Sequence, residues 1–261
     1  MRSIRLQGVS NVRDLGGLPV RSGRIVTPGL IFRGGDLSGA TQSDLDVLSR
    51  GLSLSCIIDL RVSWEREAKP NKPVPGAEEL HIPFFDKEIV GVEYEKPIAD
   101  TRMRGHDFAC DPTDLYRTMA NPLTVAQMGR ALREVLGRAS EGKTVYFHCS
   151  GGKDRAGVLA ALVLDVLGCA REDIEQDYLL TNVSRDAGIE KIYERFLYLC
   201  NGDAARAREV TDQHRARVEN LQTFWEAVLA RYGGKERFFF EQLGIADEER
   251  EAFRLSCTQP A

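Results

Sequence analysis

The chain has 261 residues, a hydrophobic fraction of 43%, a charged fraction of 28% and a formal net charge of -4. This is the composition of a globular protein that can bury a substantial core, and a single domain accommodates the length. The acidic balance argues against a nucleic-acid-binding protein, which usually carries a basic excess. The most apolar stretch, residues 158–167, is too short to cross a bilayer, so no stable membrane insertion is expected.

The cysteines and the N-terminal residues indicate in which cellular compartment the protein is expected. Six cysteines are scattered along the chain without a CxxC pair or a His/Cys cluster, so neither a zinc site nor a disulfide framework is expected. Residues 1–8 lack the apolar core of a secretory signal peptide. We therefore expect a cytoplasmic location, while the sequence leaves export without a cleaved signal open. It leaves the oligomeric state open as well.

The first third of the chain predicts short strands joined by loops. Residues 11–38 are rich in glycine, and residues 30–33 are their most strand-like part. A capping box at residues 41–44 predicts the start of a short helix. The apolar runs 55–60 and 80–85 predict two further strands.

The next segment, residues 86–125, is weakly periodic and contains three prolines. A connection of this length between core elements is usually functional, so we expect it to cover the functional site as a helical lid. Residues 123–138 predict an amphipathic helix that leads to the following strand.

The most informative stretch is residues 148–157, HCSGGKDRAG. A β-branched and aromatic run at 144–147 precedes it and predicts a buried strand, whereas the apolar run 157–167 predicts a helix. A strand, a glycine-containing loop and a helix in this order bind phosphate. The reason is that N–H groups converge in the loop and the helix N-terminus adds a positive dipole.

The residue types in this loop predict nucleophilic chemistry. Cys149 lies at the predicted helix N-terminus beside Lys153 and Arg155, an environment in which thiols ionise readily. Arg155 offers a planar fork that can hold two phosphate oxygens. Gly151 and Gly152 let the backbone approach a ligand closely. Together these groups suit attack on a phosphate ester through a cysteinyl-phosphate intermediate.

At these residues the chain resembles the cysteine-dependent protein tyrosine phosphatase superfamily, whose signature is HCxxGxxR. The form HCxxGKDR is similar to a branch of atypical bacterial tyrosine phosphatases that also accept phosphoinositides. The similarity to that branch extends to four further segments, which are residues 11–17, 32–38 and 58–61 and the C-terminal helical region. The resemblance therefore spans most of the chain except roughly residues 86–125, and it implies phosphate monoester hydrolysis.

We expect Cys149, Asp154 and Arg155 to be catalytic, and Ser150, Gly151, Gly152 and Lys153 to bind the substrate. The resemblance implies that Asp154 is the general acid for the leaving oxygen, although a helix N-terminal carboxylate is also favourable on its own. Elsewhere in the superfamily the acid lies on a separate loop. Asp86 in the predicted lid and Asp59 at the end of a strand therefore stay open as alternatives.

Lys153 indicates which substrates the site can bind, and Ala156 indicates how fast the enzyme turns over. Lys153 would supply a second cation for additional phosphates, as on an inositol ring, and the alternative is a solvated lysine at a loop tip. Many superfamily members carry Ser or Thr where this chain has Ala156, and that hydroxyl is thought to help the hydrolytic step. We therefore expect a long-lived phosphoenzyme. The alternative function, a phospho-ligand binding module with little turnover, is favoured by Ala156 alone.

From residue 171 the chain predicts helices almost throughout, at residues 174–180, 189–199 and 209–232 and in two short segments around 238–240 and 246–255. The alternation before residue 170 and the helices after it predict one phosphatase domain, residues 1–261, whose helical C-terminal part spans about 171–261. The expected α/β fold has a central, mostly parallel sheet flanked by helices, with the lid at about 86–125.

No metal or cofactor is expected, because arginine and backbone dipoles can stabilise the transferring phosphoryl group. The expected partner is a substrate, either a phosphotyrosine-bearing phosphoprotein or a phosphoinositide.

Overall fold

The computed structural model describes residues 2–85, 113–184 and 186–261. In these ranges the strands are β1 Arg13–Asp14, β2 Arg24–Val26, β3 Ile31–Gly34, β4 Leu54–Asp59, β5 Glu78–His81, β6 Thr144–His148 and β7 Thr258–Pro260. Five of them form one sheet in the order β1-β3-β6-β4-β5, while β2 and β7 pair in a separate antiparallel ribbon.

The helices in the described residues mostly follow β5. They are α1 Gln42–Asp46, α2 Ser63–Ala68, α3 Asp114–Met119, α4 Pro122–Ser140, α5 Asp154–Leu167, α6 Arg171–Ser184, α7 Asp186–Leu199, α8 Ala204–Gln213, α9 Val218–Tyr232, α10 Lys235–Arg237 and α11 Asp247–Cys257. Two π-helical turns, Val47–Gly51 and Phe238–Gln242, continue α1 and α10. Within the described part of the chain, no helix combines the length and the apolar character needed to cross a membrane.

The ends of the longer helices follow from local sequence. The Asn121 side chain accepts a hydrogen bond from the Thr124 N–H at the start of α4, and Pro122 occupies the first turn, where its missing N–H costs nothing. Helix α5 ends at Gly168, whose φ of 89° is a left-handed conformation that glycine adopts readily. These signals depend on a few neighbouring residues.

The central strand β6 organises the core. All five of its residues are buried, and it pairs in parallel with β3 on one side and β4 on the other. Val145 and Phe147 belong to the main core with α4 and α5, whereas Tyr146 points to the opposite face and a second apolar cluster. Both faces of the sheet are therefore covered.

The register of the parallel strands brings three chain segments to one edge of the sheet. His148 at the end of β6 lies level with Gly34 at the end of β3 and with Asp59 at the end of β4. The loop after β6 therefore meets the residues that follow β3 and β4. In open parallel sheets this carboxyl edge is the usual place for a ligand.

The helical hairpin of α7 and α8 has a small core of its own. Phe196 and Leu199 on α7 pack against Ala207 and Val210 on α8, and these four buried residues form a cluster separate from the main core. The hairpin is thus held together chiefly by contacts within itself.

The predicted α/β architecture, with a mostly parallel sheet flanked by helices, is confirmed. The strands predicted at 30–33, 55–60 and 144–147 correspond to β3, β4 and β6 within one residue at every terminus. The strand predicted at 80–85 begins earlier and ends at His81. Of the predicted lid, residues 86–112 lie outside the described residues, and the remainder contains α3 and the start of α4.

The single helix predicted at 209–232 is wrong, because the chain breaks between α8 and α9. The Asn182 side chain on α6 donates to the Ala216 carbonyl and accepts from the Ala216 N–H, at 2.9 and 2.8 Å. This pair of bonds fixes a non-helical backbone at residues 214–217. The helical periodicity continues across the break, so the sequence pattern does not reveal it.

Candidate active site

The loop between β6 and α5 starts at Cys149, which is buried with 2% of its surface exposed. Helix α5 begins at Asp154, so Cys149 lies near the N-terminal end of that helix. The predicted order of strand, loop and helix is therefore confirmed. Cys149 therefore lies in the loop that leads into the N-terminus of α5, the end of a helix that favours an anion.

Every carbonyl oxygen from Cys149 to Lys153 accepts a hydrogen bond from a group outside the loop. The donors are His148 Nδ1 to Cys149, the Asp36 N–H to Ser150, Asn11 Nδ2 to Gly151 and Gly152, and the Arg33 guanidinium to Gly152 and Lys153. In a planar trans peptide the N–H points opposite to the C=O. The loop N–H groups therefore point away from these donors, into the concave side of the loop.

One loop position requires glycine. Gly152 has a φ of 65°, and a Cβ atom there would lie 2.4 Å from the carbonyl carbon of Gly34 at the end of β3. A side chain would meet both conformational strain and a backbone clash. The loop can pass this close to β3 only without a side chain at this position.

A buried ionic cluster holds the donors behind the loop. The Asp177 carboxylate on α6 accepts hydrogen bonds from Arg13 at 3.2 and 3.3 Å and from Arg33 at 3.1 Å, and Arg13 in turn donates to Asn11 Oδ1. Burial by itself would raise the pKa of Asp177, but the charges of Arg13 and Arg33 reverse this and hold the pKa below its usual value. Burial and the charge of Arg13 lower the pKa of Arg33 to about 10, so it remains a cation at neutral pH.

Arg155 is oriented by a carboxylate from another helix. Glu65 on α2 accepts from both terminal nitrogens of Arg155, at 2.5 and 2.8 Å, and from the Ser150 hydroxyl at 2.5 Å. The same carboxylate accepts from the Val62 N–H at the start of α2. A bidentate pair fixes the plane of a guanidinium, so Glu65 sets the direction in which Arg155 faces the loop.

Asp154 and Lys153 lie at the mouth of the loop. Asp154 Oδ1 accepts from the Tyr116 hydroxyl and lies 3.3 Å from Lys153 Nζ. Lys153 Nζ also donates to the His214 carbonyl at 2.8 Å, and the lysine side chain is mostly buried. Lys153 is therefore not a solvated lysine at a loop tip.

Asp59 is enclosed beneath the loop. Its carboxylate accepts a bidentate pair from Arg61 at 2.9 and 2.7 Å and a third bond from Asn71, with 0% of the residue exposed. Burial would raise the pKa of Asp59, but His148 and Arg61 hold it below its usual value. An ionised, enclosed carboxylate is poorly suited to donate a proton to a substrate.

A cleft of about 270 Å³ opens above the loop. Ser150, Gly151, Lys153 and Asp154 form part of its lining. One side wall comes from α2 and the residue after it, with Trp64 and Lys69. The other comes from the α7–α8 region and contains Ile192, Arg195, Phe196 and His214. The cleft therefore combines aromatic and apolar surface with several cations.

The structure brings the predicted site residues together, and it adds residues that sequence reasoning missed. Glu65 and Asp177 give no local signal, because an acidic residue on a helix usually lies on a solvated face. Asn11 and Arg33 belong to segments that resemble the family, and Arg33 also ends the strand predicted at residues 30–33, but neither residue was predicted to support the site. Asp86 lies outside the described residues.

Comparison with known proteins identifies similar sequences. The model of the tyrosine phosphatase family matches residues 4–259. A protein of Cupriavidus necator, whose name assigns it to the tyrosine-protein phosphatases, is 31% identical over 91% of this chain and 82% of its own length. The triple specificity protein phosphatase PtpB of Mycobacterium tuberculosis is 28% identical over 82% of this chain and 81% of its own.

Solved structures give a weaker likeness. TpbA of P. aeruginosa in complex with pTyr is 13% identical and covers 73% of this chain and 90% of its own, with a TM-score of 0.32. The sequence matches therefore carry more weight than the structural one.

Proposed function

Because the chain belongs to the tyrosine phosphatase family, we propose that it hydrolyses phosphotyrosine monoesters through a cysteinyl-phosphate intermediate on Cys149. The observation that carries this proposal is the outward bonding of all five loop carbonyls, which leaves the N–H groups to receive a phosphoryl group. Donors fixed in advance stabilise charge on a transferring group without reorganisation at the moment of reaction.

The reaction proceeds in two displacements. The Cys149 thiolate attacks phosphorus in line with the tyrosine oxygen, so an S–P bond forms as the P–O bond breaks. The loop N–H groups and Arg155 hold the equatorial oxygens, and Asp154 gives its proton to the leaving oxygen. Water then attacks phosphorus, releasing inorganic phosphate and the thiolate, with the Asp154 carboxylate accepting a proton from that water.

Asp154 is the better acid than Asp59 on geometric grounds. Asp154 lines the cleft, whereas Asp59 is fully enclosed. A general acid must reach the proton acceptor in a plausible substrate pose.

The cleft suits an aromatic phosphate. Trp64 from α2 and Ile192 and Phe196 from α7 supply flat or apolar surface beside the loop. A phosphotyrosine ring can pack between such walls while its phosphate enters the loop. A small phosphoserine side chain would leave these walls uncovered.

Phosphoinositide hydrolysis is a second activity that we propose. Lys153 and Lys69 line the cleft and can pair with further phosphates of an inositol ring. The name of one relative, which records triple specificity, supports a site that accepts more than phosphotyrosine.

The test is phosphate release from phosphotyrosine and phosphoserine peptides and from phosphoinositide vesicles, with reductant and without added metal. Cys149→Ser is the control. Release from phosphotyrosine peptide above this control supports the main proposal, and release from phosphoinositides supports the second. If all substrates remain intact while wild-type and Cys149→Ser protein bind phosphopeptide equally, the protein is a phospho-ligand binding module instead.

Ala156 predicts slow hydrolysis of the phosphoenzyme. Ala156 is fully buried beside Arg155 and offers no hydroxyl to the sulfur. We expect a burst of the phenolic product in rapid-quench experiments, and we expect Ala156→Ser to shorten the phosphoenzyme lifetime. A trace without a burst at saturating substrate would contradict this expectation.

A further inference from the structure

A chain of hydrogen bonds runs from the protein interior to Asp154. Asn220 on α9 donates from Nδ2 to the Tyr178 hydroxyl on α6 at 3.1 Å, and the Tyr178 hydroxyl lies 2.5 Å from the Tyr116 hydroxyl on α3. Tyr116 donates to Asp154 Oδ1 at the start of α5. Asn220 and both tyrosines are 1% exposed, so four helices meet in a buried contact behind Asp154.

The groups at the two ends of this series, Asn220 and Asp154, determine the direction in which its hydrogen bonds are donated. An amide nitrogen only donates, so Tyr178 accepts from Asn220 and its own proton goes to Tyr116. The proton of Tyr116 is then directed to Asp154. Burial and the nearby Asp154 raise the pKa of Tyr116 well above its ordinary value, so this hydroxyl keeps its proton and remains a donor.

We propose that Tyr116 is a positioning residue for the acid step: it fixes the orientation of the Asp154 carboxyl group through Oδ1 and stabilises the carboxylate that forms. This inference rests on the proposed function. As the P–O bond breaks, the proton passes from the Asp154 carboxyl group to the tyrosine oxygen. The hydrogen bond from Tyr116 then becomes charge-assisted and therefore stronger.

Other charges near Asp154 stay in place when the Tyr116 hydroxyl is removed. Lys153 Nζ lies 3.3 Å from the same Oδ1 atom, so this cation remains beside the carboxyl group. The remaining ionisable groups along the described cleft are Asp36, Arg61, Glu65, Lys69, Arg195 and His214. A change in pH profile after Tyr116→Phe therefore reports the lost hydroxyl.

The experiment compares Tyr116→Phe with wild type on phosphotyrosine and on p-nitrophenyl phosphate, whose leaving group needs little protonation. We expect kcat/KM for phosphotyrosine to fall about tenfold, the equivalent of one hydrogen bond to a charged group. For p-nitrophenyl phosphate we expect less than about a twofold change, since general acid catalysis contributes little there. Asp154 should keep its proton to higher pH in the variant, so the basic limb of the kcat/KM profile moves upward.

Two further variants complete the design. Tyr232→Phe is the matched control, because its hydroxyl donates to the Ala120 carbonyl away from Asp154, and it should leave both substrates unchanged. Tyr178→Phe removes the donor to Tyr116 and should give the same pattern with a smaller amplitude. It also provides the test if Tyr116→Phe does not fold.

Asp154→Asn separates the inference from the proposed function. We expect this variant to lose activity mainly on phosphotyrosine, and Tyr116→Phe to add nothing to it. An equal loss on both substrates with an unmoved basic limb for Tyr116→Phe, while Asp154→Asn shows the leaving-group effect, overturns the inference alone. An Asp154→Asn variant without a leaving-group effect overturns the acid role of Asp154 together with the inference.

Discussion

The two regions that form the cleft are held by different kinds of interaction. The loop from Cys149 to Lys153 rests on a buried polar frame of Asn11, Arg13, Arg33 and Asp177. The α7–α8 hairpin, which supplies Ile192 and Phe196 to the cleft, is held by a small apolar cluster of its own.

Because of this difference, the loop that performs the reaction and the hairpin that lines the cleft are expected to respond differently to mutation. Hydrogen bonds and ion pairs are directional, so the frame fixes the orientation of each peptide in the loop. Apolar contacts are non-directional and tolerate exchange of one side chain for another of similar volume. The loop geometry is therefore expected to be sensitive to single polar changes, whereas the apolar cluster of the hairpin is expected to tolerate side chains of similar volume.

The largest expected effect is that of Asp177→Asn. This variant leaves the buried guanidinium groups of Arg13 and Arg33 without their carboxylate. Breaking a buried ion pair from one side costs about 3 to 5 kcal/mol, so we expect a loss of this size in the free energy of unfolding, measured by urea denaturation. Phosphatase activity should fall with it. Glu172→Gln, at an exposed position of the same helix, is the control.

Next in size is the effect of Leu199→Ala in the hairpin. Leu199 is buried in the α7–α8 cluster, and a Leu→Ala change in a core costs about 2 to 5 kcal/mol. Because the cluster is separate, we expect faster amide hydrogen exchange in residues 186–213 and unchanged protection in β6 and α5. Leu123→Ala, the same change at a residue that is 77% exposed, should leave exchange unaltered. Loss of protection throughout the sheet would mean that the two regions unfold as one unit.

The smallest expected effect is a change in how the free energy of unfolding depends on pH under acidic conditions. The folded pKa of Asp177 lies below its unfolded value, so its stabilisation is complete above an unfolded value of about 3.9 and is lost as the pH falls through the folded value. Asp177→Asn should therefore show a shallower decline in unfolding free energy below about pH 4, by up to about 1.4 kcal/mol per pH unit. Parallel curves for the two proteins would show that Asp177 does not titrate differently on unfolding.

The accuracy of the sequence predictions depended on how local their signals were. Apolar runs, caps and glycines determine several elements locally, and these elements were predicted closely. They are strands β3, β4 and β6 and helices α4 and α5. The ribbon of β2 and β7 was not predicted, because it joins residues 24–26 to residues 258–260 through backbone pairing. The break at 214–217 was missed because its cause, Asn182, lies on another helix.

The same distinction applies to the site. By itself, the sequence determined that Cys149, Arg155 and the glycines lie in one short loop between a strand and a helix, since that information is contained in about ten neighbouring residues. Only the tertiary structure decided that Glu65, 90 positions away, orients Arg155. It likewise decided that Asp177 supports the loop from behind and that Tyr116 contacts Asp154. These pairings arise where parallel strands end together and helices cross, so they depend on topology and leave no periodic trace along the chain.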